Sequence, residues 1–353
     1  MSHDLFRARA PGRVNLMGDH TDYSGGLVLP AAINRYVTLD VTARSDGATV
    51  LRSEGFEGVT KLTSDGRLDQ GGPPWGRYAA AVHNELAELG RRGVGIEGSV
   101  RSDIPVGAGV SSSAAFEVAL ATAFCGVAGL APDPKDLALA CQRAEHRAVG
   151  VPCGPMDQLA STLGIAGHAL RIDCGTLDVQ PVRLPAGVMI LVLDSAVPRR
   201  LEHTAYAERR AEVERGHPGR MRHVESENER VDALRGLLEA SILDRASIGN
   251  VFATSHRSLA EDFEVATAEL DLLVALALNA GAFAARLTGA GFGGSVVALV
   301  DVDLAAAVGA RVVERYRAES GLPGTAHLCE AVAGALLSIT PAKPPLAQQR
   351  PRG

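Results

Sequence analysis

The chain has 353 residues, 46% hydrophobic and 22% charged, with a formal net charge of −6; that length exceeds what one core usually serves, so two domains sharing a cleft are expected. An acidic balance without a basic block excludes nucleic acid as the main partner, and the lack of an 18-residue apolar run excludes a membrane-spanning helix. Three residues alone are lysines, Lys61, Lys135 and Lys343, and none stands in a Gly-x-x-x-x-Gly-Lys phosphate loop or a Val-Ala-Ile-Lys context, which excludes the P-loop and protein-kinase arrangements.

In chain order, residues 27–51 alternate apolar runs such as Val37-Thr-Leu-Asp-Val-Thr-Ala with turn residues and read as strands. Apolar spacing at Ala80, Val82, Leu86 and Leu89 predicts a helix over 77–92, and an Ala-rich helix is expected from Ser112 to Cys125. Beyond Pro132 and Pro134 a further helix is expected from Leu137 to Val149. Strands resume at Ala169 and include the apolar run Val188 to Leu193, whose continuity marks a buried strand. Half of the residues from Glu208 to Arg235 are charged with both signs mixed, which reads as a solvated helical face.

Helices are expected onward to about Leu287, then a strand at 295–300 and a helix at 302–318. The Pro- and Gln-containing segment 341–353 reads as a disordered tail. No internal repeat and no regular βαβ rhythm is visible, which favours the α+β class. A boundary near 180–190 would separate an N-terminal domain, 1–185, from a C-terminal one, 186–340. The five cysteines form no Cys-x-x-Cys pair and read as reduced thiols of a soluble cytoplasmic protein, in keeping with an N-terminus that lacks a signal-peptide pattern.

Three segments carry chemistry. In Pro105-Val-Gly107-Ala-Gly109-Val-Ser111-Ser112-Ser113 the glycines let the backbone approach a ligand, and the serines open a helix whose N–H groups can face an anion. In Pro11-Gly12-Arg13-Val-Asn-Leu-Met-Gly18-Asp19-His20-Thr21-Asp22-Tyr23-Ser-Gly25-Gly26, two acids, a histidine, an arginine and four glycines crowd together. Carboxylates and an imidazole at that density suit a polyol, whose hydroxyls are read by donors and acceptors at fixed distances. The third, Leu287-Thr288-Gly289-Ala-Gly291-Phe-Gly-Gly-Ser, is either a nucleotide-facing loop or only a tight turn into a strand.

Taken in this order and spacing, the segments resemble the three motifs of the GHMP small-molecule kinases, and the Gly12-to-Gly26 stretch is similar to the galactokinase signature. Cys153-Gly154-Pro155-Met156-Asp157-Gln158, Ser255-His-Arg-Ser-Leu259 and Glu269-Leu-Asp extend the likeness over about residues 7–335. The resemblance implies a two-domain α+β GHMP kinase fold, its N-terminal half like ribosomal protein S5 domain 2 and its C-terminal half ferredoxin-like, with the active site between. It also implies transfer of the ATP γ-phosphoryl group to the anomeric hydroxyl of galactose or a similar sugar.

By the same resemblance Asp157 is the catalytic acid–base residue and Arg13 its partner. Ser113 and Glu145 hold Mg²⁺, and Gly107, Gly109 and Ser111 to Ser113, with Gly289 and Gly291, bind ATP. Asp19, His20, Asp22, Gly154 and Tyr206 contact the sugar. The implied partners are the small-molecule sugar and ATP, with no nucleic acid and no membrane, for a monomer or weak homodimer.

Two positions depart from the family pattern, which usually has Glu at Asp19 and His at Arg199. The shorter acid leaves roughly 1.5 Å more room, about one C–C bond. Arg199 either meets a carboxylate or phosphate on an unusual substrate or points into solvent. Hence galactose itself and an enlarged or longer-chain sugar both stand as substrates, beside a sensor that binds sugar without turnover.

Overall fold

The computed structural model describes residues 4–90, 93–105, 107–150, 152–197 and 202–341, without side chains at 202–204. Arg199, Lys343 and all of the expected tail except Pro341 lie outside the described residues. The first part of the chain runs β1 (Leu5–Asn15), β2 (Leu27–Val28), β3 (Pro30–Arg44), β4 (Thr49–Ser53), β5 (Val59–Leu62), α1 (Gly76–Glu88), β6 (Gly95–Ser102), α2 (Ser112–Ala128), α3 (Pro134–Val149), α4 (Met156–Leu163), β7 (His168–Asp173) and β8 (Asp178–Arg183). The second runs β9 (Val188–Asp194), α5 (Glu202–Glu214), α6 (Pro218–Glu239), α7 (Arg245–Glu261), α8 (Ala268–Ala280), β10 (Ala284–Thr288), β11 (Ser295–Asp301), α9 (Ala305–Ser320), β12 (Thr325–Cys329) and β13 (Leu336–Thr340). Among the described residues no helix is long and apolar enough to cross a membrane.

Three sheets organise these elements: β13-β1-β3-β6-β4-β5, β10-β11-β9-β12 and β2-β7-β8. Pairing is antiparallel except between β4 and β6. The irregular order and segregated helices make the class α+β, as expected. The expected boundary range, 180–190, spans the end of β8, the connection and the start of β9, and the expected division at 185/186 lies in that connection. The chain nevertheless returns: β13 pairs antiparallel with β1, Leu5 opposite Thr340, so residues 336–340 complete the first sheet although the sequence places them in the second half.

With few aromatics available, small aliphatic side chains fill the core. Helix α2 buries Ala114, Ala115, Val118, Ala119, Leu120, Ala121, Ala123 and Phe124, apolar nearly all round, as a helix sandwiched between a sheet and other helices must be. The run in β9 is apolar for a different reason. Ile190 and Val192 pack into one core while Leu191 and Leu193 pack into the other, so both faces of the second sheet are covered. Fully burying each such Val or Leu contributes about 1.5–3 kcal/mol.

Two expectations fail. Residues 284–288 form β10, not the end of a helix, because the apolar stretch Ala284-Ala-Arg-Leu-Thr pairs with β11. The charged segment at 208–235 is not simply a solvated face, since α6 buries Arg220, His223 and Glu227 along with Val224, Val231, Leu234 and Leu238. Glu227 sits on the same stripe as Val224 and Val231, three residues after one and four before the other, so it is carried into the interior.

Candidate active site

A cavity of about 430 Å³ lies where β1, the loop before α2, the start of α4 and the turn after β10 converge, within the range of small-molecule sites. It is lined by Arg13, Asp19, His20 and Asp22 of the first segment and by Gly107, Gly109 and Ser111 to Ser113 of the second. Glu145, Gly154, Asp157, Tyr206 and Gly289, also predicted from sequence, line it as well. Gly291 is not part of the lining. At φ 75° it packs against Val265, where a Cβ would lie 2.5 Å from the Val265 carbonyl. Arg199 lies outside the described residues.

Arg13 and Asp157 meet across 144 positions of sequence as a bidentate pair, Nε to Oδ1 at 2.7 Å and Nη2 to Oδ2 at 2.8 Å. The third guanidinium nitrogen, Nη1, donates to the Gly109 carbonyl at 2.8 Å, so one side chain joins Asp157 to the glycine–serine loop. A register shift in β1 between Pro11 and Arg13 aims the arginine inward. Gly12 permits the close approach, since a Cβ there would stand 2.5 Å from the Val110 carbonyl that accepts from Arg13 N–H.

Helix α2 begins at the cavity without a side-chain cap, because the Ser111 hydroxyl, at φ 61°, donates to Asp157 instead. First-turn N–H groups have no intrahelical partner, so an uncapped start facing a cavity can take an anion. Lys61 is exposed and the Lys135 ammonium donates to the Leu177 carbonyl; neither reaches the cavity. Among the described lining residues Arg13 is the one Arg or Lys, facing the carboxylates of Asp19, Asp22, Glu145 and Asp157.

The sugar-loop residues are deeply set. Burial lowers the His20 pKa to about 3, so the ring is neutral. Its Nε2 lies 3.1 Å from the Ala290 carbonyl and must carry the proton, which leaves Nδ1 to accept from the Tyr23 hydroxyl at 3.1 Å. Phe263 stacks on the ring at 4.4 Å, and Tyr206 packs 5.6 Å edge-on to Tyr23. Burial, and next Asp157, push the Asp22 carboxyl up to about 7. Gly154 has no space for a side chain, since a Cβ would overlap the Asp22 carboxylate.

Asp19 accepts from Gly289 N–H at 2.8 Å and from Arg286 at 2.5 Å. Gly289 therefore braces the sugar loop with its N–H. Sequence reasoning missed Arg286 and Glu227, although a charge inside an apolar strand run and a charge on a helix's apolar stripe were both readable signals. At the start of α2 Ser113 donates to Glu145 at 2.8 Å, and Gln158 donates to Glu145 at 2.5 Å and to buried Glu117 at 3.0 Å. Gln158 and Glu117 were not anticipated either.

Comparison with known proteins gives the family. Residues 2–42 match the family model described as the galactokinase galactose-binding signature, residues 77–165 the N-terminal domain of GHMP kinases, and residues 229–318 their C-terminal domain. The galactokinase of Chloroflexus aurantiacus is 39% identical over 93% of this chain and 92% of its own length. The chain belongs to the galactokinase family. Chloroflexus aggregans has another such relative, 38% identical with the same coverage. Lactococcus lactis galactokinase, solved in complex with galactose, superposes with a TM-score of 0.88 at 29% identity, covering 94% of this chain and 95% of that one. The mevalonate kinase of Methanococcus jannaschii, at 17% identity and a TM-score of 0.71, shares the fold. This galactokinase-family chain is thus a sugar kinase with the GHMP fold in both halves, and kinases of this family use ATP.

Proposed function

We propose that the chain transfers the γ-phosphoryl group of ATP to the C1 hydroxyl of galactose. The observation that carries this reading is the Arg13–Asp157 pair, standing in one cavity between a carboxylate-rich sugar loop and an uncapped helix N-terminus. Galactose rests against Asp19, Asp22 and Tyr206, with the Gly154 backbone close beside it. His20, both of whose ring nitrogens are engaged, holds Tyr23 and the loop in shape. Asp157 accepts the C1 hydroxyl proton as the oxygen attacks, and Arg13 offsets charge on the transferring group. Because the transition state is loose, position and electrostatics supply most of the rate.

The ATP phosphates lie on the 107–113 loop and the first turn of α2. Four carboxylates beside one arginine form a poor polyanion site by themselves, and burial, followed by Asp157, raises the Glu145 pKa. Those observations and an all-oxygen donor pair fit Mg²⁺, which takes one or two protein oxygens together with phosphates and waters. Ser113 and Glu145 would hold it, and bound there it would neutralise phosphate charge. Gln158 keeps Glu145 turned toward Ser113. The same reading takes the enzyme as a monomer or weak homodimer in the cytoplasm, the latter in keeping with five cysteines of which none is in a disulfide.

A sugar panel assayed by ADP release tests the proposal. Galactose should release one ADP per sugar and yield an anomeric phosphate by ³¹P coupling. Preference for a longer-chain aldose, or binding of galactose without ADP, would overturn it. Asp22 adds a pH signature. Below about 7 its carboxyl is protonated and above it is an ionised acceptor, so kcat/KM for the sugar should rise with pH and level off above about 7. Asp22→Asn should lower kcat/KM and abolish that limb; a rising limb retained in the variant would show that another group titrates.

A further inference from the structure

Asp19 is held in place from the second half of the molecule. Arg286, fully buried in β10, donates from Nη2 to Asp19 Oδ2 at 2.5 Å and from Nη1 to the Leu16 carbonyl at 2.9 Å. Glu227 of α6, equally buried, lies 3.4 Å from the same Nη2. Its Oε1 accepts from Gly18 N–H at 3.0 Å and from Ser255 at 2.8 Å, and its Oε2 accepts from Arg230 at 2.7 Å. Two buried carboxylates thus face buried Arg286 and the half-buried Arg230, and opposite charge so placed is the condition under which buried charge is tolerated.

Further ties have the same origin. His223 of α6 donates from Nε2 to the Asp19 carbonyl at 3.0 Å, Gly289 N–H reaches Asp19 Oδ1, and Thr288 Oγ1 donates to the Asn15 carbonyl at 2.9 Å. The sugar loop between β1 and β2 is therefore shaped by α6, β10 and the turn after β10. Arg286 stands behind the cavity wall and is not among its lining residues.

We propose that Arg286, with Glu227 as its counter-anion, is a positioning residue for sugar recognition: it sets the Asp19 carboxylate and the backbone from Leu16 to His20 against the cavity. The inference rests on the reading of Asp19 as a sugar contact. A carboxylate tethered at both oxygens offers its remaining lone pairs in fixed directions, which is what distinguishing one hydroxyl stereochemistry from another requires. The planar fork is needed because one side chain must reach a carbonyl and two carboxylates at once, and a lysine ammonium cannot span them.

Three variants of the full chain test this: Arg286→Lys, the charge-balanced double variant Arg286→Met with Glu227→Gln, and Asp19→Asn. Arg286→Lys should raise KM for galactose about tenfold and the double variant about a hundredfold, with KM for ATP and kcat at saturating sugar within about threefold. The preference for galactose over its C4 epimer should narrow in both. The double variant removes Arg286 together with its counter-anion and keeps the net charge, and Asp19 still accepts from Gly289 N–H, so it keeps the test available where Arg286→Lys does not fold. A purely structural role would lower the melting temperature without separating the two KM values. Unchanged galactose KM in the folded Arg286 variants, or a parallel rise of both KM values, overturns the inference. If Asp19→Asn raises galactose KM in that case, the sugar contact itself stands; if Asp19→Asn leaves it unchanged, the contact falls and the inference with it.

Discussion

Replacing Asp157 by Asn should lower kcat by about 10³-fold, within the range contributed by a positioned general base, while galactose and ATP still bind with affinities within about threefold. Asparagine has the shape of aspartate and keeps one of the two bonds from Arg13 through its carbonyl oxygen, while the Arg13 bond to the Gly109 carbonyl is untouched, so the loop should survive. What disappears is the oxygen able to take the hydroxyl proton as the phosphoryl group arrives. Asp157 lies in the first turn of α4 with its side chain 25% exposed, so the substitution opens no core cavity and the melting temperature should move by only a few degrees. Single-turnover ADP release beside calorimetric binding separates the two effects. A kcat within a few-fold of the parent would remove Asp157 from the role of base.

The second large effect is expected at Arg13. Arg13→Met should reduce kcat by about 10²–10³-fold, the scale seen when a preorganised donor to developing charge is lost. Three contacts depend on this side chain, two to Asp157 and one to the Gly109 carbonyl, and it is nearly fully buried. Its loss unlinks Asp157 from the 107–113 loop and, on the proposed reading, takes away the cation facing the transferring group. Arg13→Lys should recover less than about tenfold of the loss, because a point charge cannot span a carboxylate and a carbonyl together. Combining Arg13→Met with Asp157→Asn should be little worse than Asp157→Asn alone, since the two act as a unit. Additive losses in that cycle would show that they act separately.

The scarcity of lysine narrowed the chemistry before any fold was known. It removed the folds that hold phosphate with a lysine and left backbone N–H groups and a helix N-terminus, and the loop at Gly107 to Ser113 lies at such a terminus. The α2 helix, the buried β9 strand and the glycine-rich turn into β11 were readable for a related reason. Each depends on local periodicity, on apolar continuity or on backbone angles that glycine adopts freely.

Other features were beyond local pattern. Strand β13 was not foreseen because its partner β1 stands at the opposite end of the chain, and nothing in Leu336 to Thr340 encodes that pairing. The segment before Thr288 was read as the end of a helix because a short apolar run has no period of its own; pairing with β11 made it a strand. The charged stretch at 208–235 was read as solvated because half-charged helices usually are. Whether Glu227 faces water depends on Arg286, which arrives on another strand, and on Arg230 and Ser255 around it.

Residue types and their order were therefore enough to establish the motifs, the sugar-kinase chemistry they resemble and the groups that meet at the cavity, because that information resides in side-chain chemistry and short-range geometry. Which charges are buried, which partner balances each, and how the second half braces the sugar loop were settled by packing. Burial of a charge is permitted only by an opposite charge brought close in space, and that partner stands far off along the chain.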